Sequence, residues 1–239
     1  IYSNAFLDCF ALKEANMPQV TKLKEGAFLN SGVESVIMPL LKKIGPSAFS
    51  GCVHLGDISM FSVETVKTRA FAGSGVTSVH MPRLKTVGSY AFKDCRRLKN
   101  VSMISVKSLE EFCFQDCENL ELFTGPEVVT IGMYVFDSCK CRVLDLPKLR
   151  SADSYAFVYT KMETFRAPEL TKISEALFYN SLVSRVFIPK VTSIGSRAFK
   201  RCRNLEVLVA PRVDTILNDA FKRSGIRRVE VDRKSTRLN

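Results

Sequence analysis

Phenylalanine returns every 21 or 22 residues along this chain, at Phe6, Phe28, Phe49, Phe71, Phe92, Phe114, Phe136, Phe157, Phe178, Phe199 and Phe221. Other columns travel with it. Five residues earlier stands an apolar residue, as in Leu23, Ile44, Val66, Val87, Leu109, Ile131 and Ile173. Alanine usually precedes the phenylalanine, and three residues after it comes a small residue: Cys9, Ser31, Cys52, Ser74, Cys95, Cys117, Cys139, Thr160, Ser181, Cys202 or Ser224. An alternating segment follows, such as Leu55-Gly-Asp-Ile58-Ser-Met60 or Leu98-Lys-Asn-Val101-Ser-Met103, and it often stops at proline, which suits a strand end because it cannot donate to a ladder.

A fixed period of this length predicts a solenoid. One turn cannot bury its own apolar side chains, whereas stacked turns put Phe over Phe and Ile over Ile in a continuous core. The alternating segment predicts one strand per turn. The stretch around each Ala-Phe is too short for a long helix and reads as a single α or 3₁₀ turn. Parallel strands about 4.8 Å apart would make some eleven turns a rod roughly 50 Å long. Turns with Cys-x-x-Leu (Cys52 to Leu55, Cys95 to Leu98, Cys202 to Leu205) carry one residue more than Ser-Gly-Val turns (Ser31 to Val33, Ser74 to Val76), which accounts for most of the alternation between 21 and 22.

The composite Leu-x-x-Val-x-Met-Pro-x-Leu-x-x-Ile-Gly-x-x-Ala-Phe-x-x-Cys resembles the BspA-like leucine-rich repeat. Residues 76–95, Val-Thr-Ser-Val-His-Met-Pro-Arg-Leu-Lys-Thr-Val-Gly-Ser-Tyr-Ala-Phe-Lys-Asp-Cys, match it nearly throughout. The resemblance extends over residues 1–231 and implies one leucine-rich-repeat solenoid of parallel strands. It also implies a surface or secreted protein, since the family occurs mostly in mucosal bacteria and protists, with some members implicated in adhesion to host matrix or other cells. The chain departs from the pattern at Ala152, Cys113 and Cys141, and where Phe61 and Ile104 replace proline.

The register places Ile1 inside a repeat. After Val229-Glu230-Val231 it fails, and residues 232–239, Asp-Arg-Lys-Ser-Thr-Arg-Leu-Asn, resemble the translation of a short-read sequencing adapter. The expectation is a solenoid over 1–231, cut within repeats at both ends, with 232–239 an artefactual tail lying off the last turn.

Composition changes this picture little. Net charge is +11, and since 232–239 hold three basic residues and one acidic, the repeats keep a basic excess of +9. No apolar run approaches a membrane span. Six of the eight cysteines sit in the small-residue column, where Ser and Thr substitute, as in a packing and hydrogen-bonding slot. Neighbouring side chains there would run parallel rather than face each other, which disfavours disulfides. Cys95, Cys113, Cys117, Cys139 and Cys141 cluster without a closing histidine or a Cys-x-x-Cys pair, so the pattern is not that of a zinc site. Only His54 and His80 are available for general-base work. His80, among Asp57, Ser59, Ser78 and Ser102, suggests a Ser-His-Asp arrangement, but an open sheet offers neither oxyanion hole nor water exclusion. No enzyme, cofactor or metal site is predicted.

The outward strand positions carry the functional reading. They are polar in early turns (Glu14, Asn16, Asp57, Ser59, Ser78, His80, Asn100, Ser102) and apolar or basic in later ones (Leu122, Val143, Thr164, Arg166, Arg185, Phe187, Val207, Val209, Arg228). Arg166, Arg185, Phe187, Val207 and Val209 are the candidate partner-binding residues, an apolar patch rimmed by arginines that would accept a protein or glycan. Basic turns such as Arg96-Arg97 and Lys200-Arg201 would attract anions. The aromatic residues nevertheless belong mostly to the inward column, so the stacking platform of a nucleic-acid binder is not expected. The reading is a non-catalytic recognition scaffold at a cell surface or outside the cell. The alternative is an intracellular or architectural scaffold, or the targeting module of a larger protein.

Overall fold

The computed structural model describes residues 1–231. Each turn carries two short strands and one hydrogen-bonded corner. The longer strand precedes the proline column, for example Glu14–Asn16, Ser78–His80, Thr164–Arg166 and Arg185–Phe187. The shorter one covers the apolar column, for example Lys22–Leu23, Lys43–Ile44 and Thr130–Ile131. Each pairs in parallel with its equivalent one turn away: Ser78 opposite Asn100, Lys22 opposite Lys43. Two parallel ladders therefore run along the solenoid, and the Ala-Phe corners form its remaining side. The period-two alternation sets which side chains enter: Phe165 is buried between exposed Thr164 and Arg166. Proline takes the second place of the turn that ends the longer strand, as in Met81-Pro82-Arg83-Leu84, where the Leu84 amide donates to the Met81 carbonyl at 3.1 Å.

The phenylalanine column stacks as the period predicts. Ten consecutive ring pairs from Phe6 to Phe221 lie 4.8–5.9 Å apart and within 17° of parallel. Rings from Phe28 to Phe199 are fully buried, and Phe6 and Phe221 partly so. Phe123 and Phe165 reach the column from the strand side and meet it edge-on, with Phe123 5.0 Å from Phe136 and Phe165 4.8 Å from Phe178.

The corners correct the helical expectation: the Ala-Phe segment is a chain of β-turns with no helix. In every turn the residues two before and two after the phenylalanine have positive φ, from Asn4 (57°) and Asp8 (55°) to Asp219 (60°) and Arg223 (60°). Left-handed residues four apart cannot continue a right-handed helix, and they turn the backbone groups toward the neighbouring turn. Asn4, Phe6 and Asp8 donate their amides to the Glu25, Ala27 and Leu29 carbonyls at 2.9, 2.8 and 2.9 Å, and the pattern repeats along the chain. Groups that a helix would satisfy internally thus tie one turn to the next. Val, Ile and Thr are missing from these positions, as expected where a branched Cβ would clash.

The small-residue column is a hydrogen-bonding slot. The thiols of Cys52, Cys95, Cys117, Cys139 and Cys202 donate to the carbonyls of Phe28, Phe71, Phe92, Phe114 and Phe178 in the preceding turn, at 2.8–3.1 Å. Glycine follows serine where the turn before has the longer Cys loop. A Cβ on Gly32 would lie 1.9 Å from the Phe10 carbonyl oxygen, and one on Gly75 2.0 Å from that of Val53.

The longer-strand ladder opens between Ser35–Ile37 and Ile58–Ser59, and both ladders open together once, further along the chain. Val143–Asp145 does not pair with Thr164–Arg166, nor Ser151–Ala152 with Lys172–Ile173. The corners stay bonded there, with the Phe157 amide 3.0 Å from the Leu177 carbonyl. Ser174 supplies its hydroxyl to the Ala152 carbonyl at 2.6 Å, where other turns use a backbone amide. Side-chain sizes mismatch at this level, Ala152 falling in the column of Ile173 and Leu144 in that of Phe165. The tail expected at 232–239 lies outside the described residues.

Two substitutions test this account. Phe114→Ala leaves a cavity between two rings and is expected to lower the free energy of unfolding by about 3–5 kcal/mol. Asn180 has φ 55°. Asn180→Val places a branched Cβ there and should cost about 1–2 kcal/mol, with Asn180→Gly near neutral. Urea denaturation measures both, and equal effects of Val and Gly would contradict the left-handed corner.

Candidate recognition surface

The longer strands of the last four turns form one continuous sheet over Thr164–Arg166, Arg185–Phe187, Val207–Val209 and Arg228–Glu230. Its register brings all five predicted residues together. Arg166, Phe187, Val209 and Glu230 stand in one outward row, and Thr164, Arg185, Val207 and Arg228 in the next. Arg166 and Arg185 are exposed, whereas Phe187, Val207 and Val209 are half-buried. The rows are close enough for mutual cover. The Arg166 guanidinium lies 5.0 Å from the centre of the Phe187 ring, a cation–π contact that caps one face of the aromatic anchor. Arg228 pairs with Glu230 at 3.0 Å.

Two grooves flank this sheet. One, of about 680 Å³, runs beside Arg185 and is lined by Glu163, Arg203, Glu206 and Arg227 among others. The second, of about 440 Å³, sits at the ladder opening between Val143 and Asp145 on one side and Thr164 and Arg166 on the other. Arg227 stands 4.0 Å from Glu206, both side chains exposed, a separation at which an ion pair is weak.

The early strands are less uniformly polar than their sequence suggested. Ile37, at the end of Ser35–Ile37, is 58% exposed. The alternation Ser35-Val36-Ile37 carries the signal for Ile37.

The other chemistry weighed from the sequence does not assemble. His80 shares a row with Ser59 and Ser102, and its ring sits edge-on to exposed Phe61 at 5.5 Å. Asp57 is occupied by the hydroxyls of Thr77 and Ser78. Led by that of Thr77, they hold its carboxyl below the ordinary range. Hence no Ser-His-Asp relay forms. All eight cysteines are free thiols, and all but Cys9 are buried. Burial pushes the thiols of Cys113, Cys117 and Cys139 well above their usual range, and that of Cys202 up to about 11. Such buried thiols are poor nucleophiles; Cys113 stands in the alanine column, and Cys117, Cys139 and Cys202 stand in the slot. Among the described residues no group of three or more His, Cys, Asp or Glu is gathered as for a metal ion, and no helix is long and apolar enough to cross a membrane.

The sequence matches the BspA type leucine rich repeat region, in six copies, over residues 1–99, 42–162 and 129–239. No curated protein matches it. Among solved structures, a leucine-rich repeat protein from Bacteroides ovatus aligns over 96% of this chain and 77% of its own, at 19% identity and a TM-score of 0.56. One from Eubacterium ventriosum aligns over 97% and 76%, at 17% identity and a TM-score of 0.54. A leucine rich repeat protein of T. pallidum is 27% identical over 58% of this chain and 68% of its own, with a TM-score of 0.55. The first two likenesses are of fold alone.

Thiol chemistry provides the check on the slot. In the native protein at neutral pH, a chromogenic disulfide reagent should titrate Cys9 first and the other seven cysteines only as the protein unfolds. Rapid labelling of Cys117 or Cys139 in the folded state would contradict the buried ladder.

Proposed function

Because the chain belongs to the BspA-type leucine-rich repeat family, we propose that it is a non-catalytic recognition scaffold of the cell surface or extracellular space, binding a protein or glycan through the longer-strand face of its last four turns. The observation that carries this reading is the shared register of Arg166, Arg185, Phe187, Val207 and Val209 on one sheet. A partner on this face gains an aromatic anchor and two guanidinium forks, the residue types that dominate interface energetics. Val207 and Val209 help to exclude water around them. The flanking grooves add Arg203 and Arg227 on one side and the ladder opening on the other. This supports a ligand with carboxylate or sulfate groups beside an apolar contact. A rigid, regular sheet needs little reordering to bind, which favours a partner that docks by surface complementarity.

The test uses beads coated with the purified chain and scored for attachment to immobilised extracellular-matrix proteins and to cells. The double substitution Arg185→Ala, Phe187→Ala is expected to reduce attachment at least tenfold. Ser59→Ala with Ser102→Ala, on the early strands of the same face, should leave it within about twofold, as for contacts at a rim. Equal attachment by the two variants would remove this patch. Loss on substituting the basic turn residues Arg96 and Arg97 instead would move the interface to the loop edge.

A further inference from the structure

Lysines are spread unevenly along the shorter-strand face. The outward row of that ladder reads Lys22, Lys43, Thr65, Thr86, Ser108, Thr130 and Ser151 in successive turns. The row two residues further on reads Lys24, Gly45, Lys67, Gly88, Glu110, Gly132 and Asp153. Four lysines therefore gather over the strands Lys22–Leu23, Lys43–Ile44 and Thr65–Val66. Leu23 is buried between Lys22 and Lys24, so the period of two turns both lysines outward. All four are exposed. Gly45 places no side chain between Lys24 and Lys67. A groove of about 570 Å³ runs here, lined by the four lysines and, among others, Glu25.

The fold does not require lysine at these positions, since the same rows carry Thr, Ser, Gly or an acid in later turns. Nor does the protein neutralise them. Four exposed lysines elsewhere meet a glutamate in the adjoining turn: Lys13 with Glu34 at 3.1 Å, Lys85 with Glu64 at 3.2 Å, Lys148 with Glu127 at 2.6 Å and Lys190 with Glu169 at 2.7 Å. Among the described residues, Lys22, Lys24, Lys43 and Lys67 form no ion pair, and the remaining paired lysines are Lys93, Lys200 and Lys222. Lys24 lies 4.3 Å from the centre of the Tyr2 ring, a contact that orients the ammonium group and leaves its charge uncompensated. Glu25 is the one carboxylate lining the groove, so four lysines against one glutamate leave an excess of three positive charges. Neighbouring turns lie about 4.8 Å apart, within the Debye length of about 8 Å at physiological salt. The lysines therefore repel one another in the free protein, and a bound polyanion relieves that repulsion as well as adding its own attraction.

We propose that this groove binds a sulfated saccharide segment. The site lies on a different face from the strand-face patch and does not rest on that reading. Its cations span about 7 Å along the strand and about 10 Å across two rises, the extent of one or two sugar rings carrying several sulfates. An ammonium group is a compact point charge with three rotatable donors, so it takes a tetrahedral oxyanion without the planar match that a guanidinium needs. The volume falls in the range of about 300–1,000 Å³ seen for small-ligand sites. The positive strip ends after the third strand, where hydroxyls and then Glu110 follow, which is too short for the run of phosphate contacts that holds a nucleic acid. No aromatic ring lines the groove to stack a base.

Isothermal titration calorimetry of the full chain with a heparin-derived tetrasaccharide tests the site. Saturable binding that weakens as salt rises is expected. Lys22→Thr with Lys43→Thr, which installs the residue of the next two turns, should weaken binding about tenfold, and so should Lys24→Ser with Lys67→Ser. Lys161→Ser with Lys172→Ser changes the net charge equally at exposed lysines outside the groove and should stay within about twofold. Arg185→Ala with Phe187→Ala should leave this binding intact, which keeps the outcome separate from that of the strand-face patch. All these substitutions except Phe187→Ala lie at exposed positions, and thermal denaturation checks that each variant remains folded. Equal loss in the Lys161 and Lys172 variant would reduce the effect to overall charge and overturn the site. So would loss in the Arg185 and Phe187 variant with the lysine variants unaffected. Equal affinity for the unsulfated tetrasaccharide, for inorganic sulfate alone or for a single-stranded oligonucleotide of matched charge would overturn the ligand assignment.

Discussion

Ring stacking at the rise of a parallel ladder is the constraint on which the structure depends. Parallel strands repeat about every 4.8 Å, and aromatic rings stack comfortably at nearly the same distance. A phenylalanine placed once per turn therefore packs face to face on its neighbours without strain, at 4.8–5.9 Å here. Every other column must keep the same rise. A side chain in this core meets its own equivalents above and below, so its size need only match along a column, which is why alanine, serine, threonine and cysteine interchange in the slots beside the ring.

The corner satisfies this constraint at a conformational cost. Two left-handed residues per turn direct the backbone amides along the solenoid axis, where they meet carbonyls of the next turn. The cost of φ > 0 for ordinary side chains is offset by an additional inter-turn ladder, made where a helix would have bonded only to itself. The cysteine thiols extend the same logic, reaching from the slot to the carbonyl of the preceding phenylalanine.

The regularity of the solenoid is broken at its faces rather than in its phenylalanine column. The strand-side ladders part between Val143–Asp145 and Thr164–Arg166 while the corners hold, and the groove there adjoins the arginine-rimmed sheet. On the corner side an outer aromatic ladder of Tyr90, Phe112, Tyr134 and Tyr155 ends where the next turn places a buried alanine, Ala176, in the column. In both places changed column residues alter the local structure while the buried phenylalanines continue past it, so the scaffold tolerates variation at its faces.

The sequence by itself determined the solenoid, its repeat boundaries, the buried column and the outward strand rows, because a period of 21 or 22 residues and a strand alternation of two leave one arrangement that buries Phe and Ile together. The register of Arg166, Arg185, Phe187, Val207 and Val209 followed from counting along that period. The geometry of the corner did not follow, since a short Ala-Phe segment is compatible with a helical turn until the neighbouring turn supplies carbonyl acceptors for its amides. The outer aromatic ladder was spread over four turns at positions that only the left-handed corner turns outward together. The Arg166 cap on Phe187 and the parting of the ladders were decided by tertiary structure alone, because each depends on how unequal side chains in adjacent turns meet across a rise of about 5 Å.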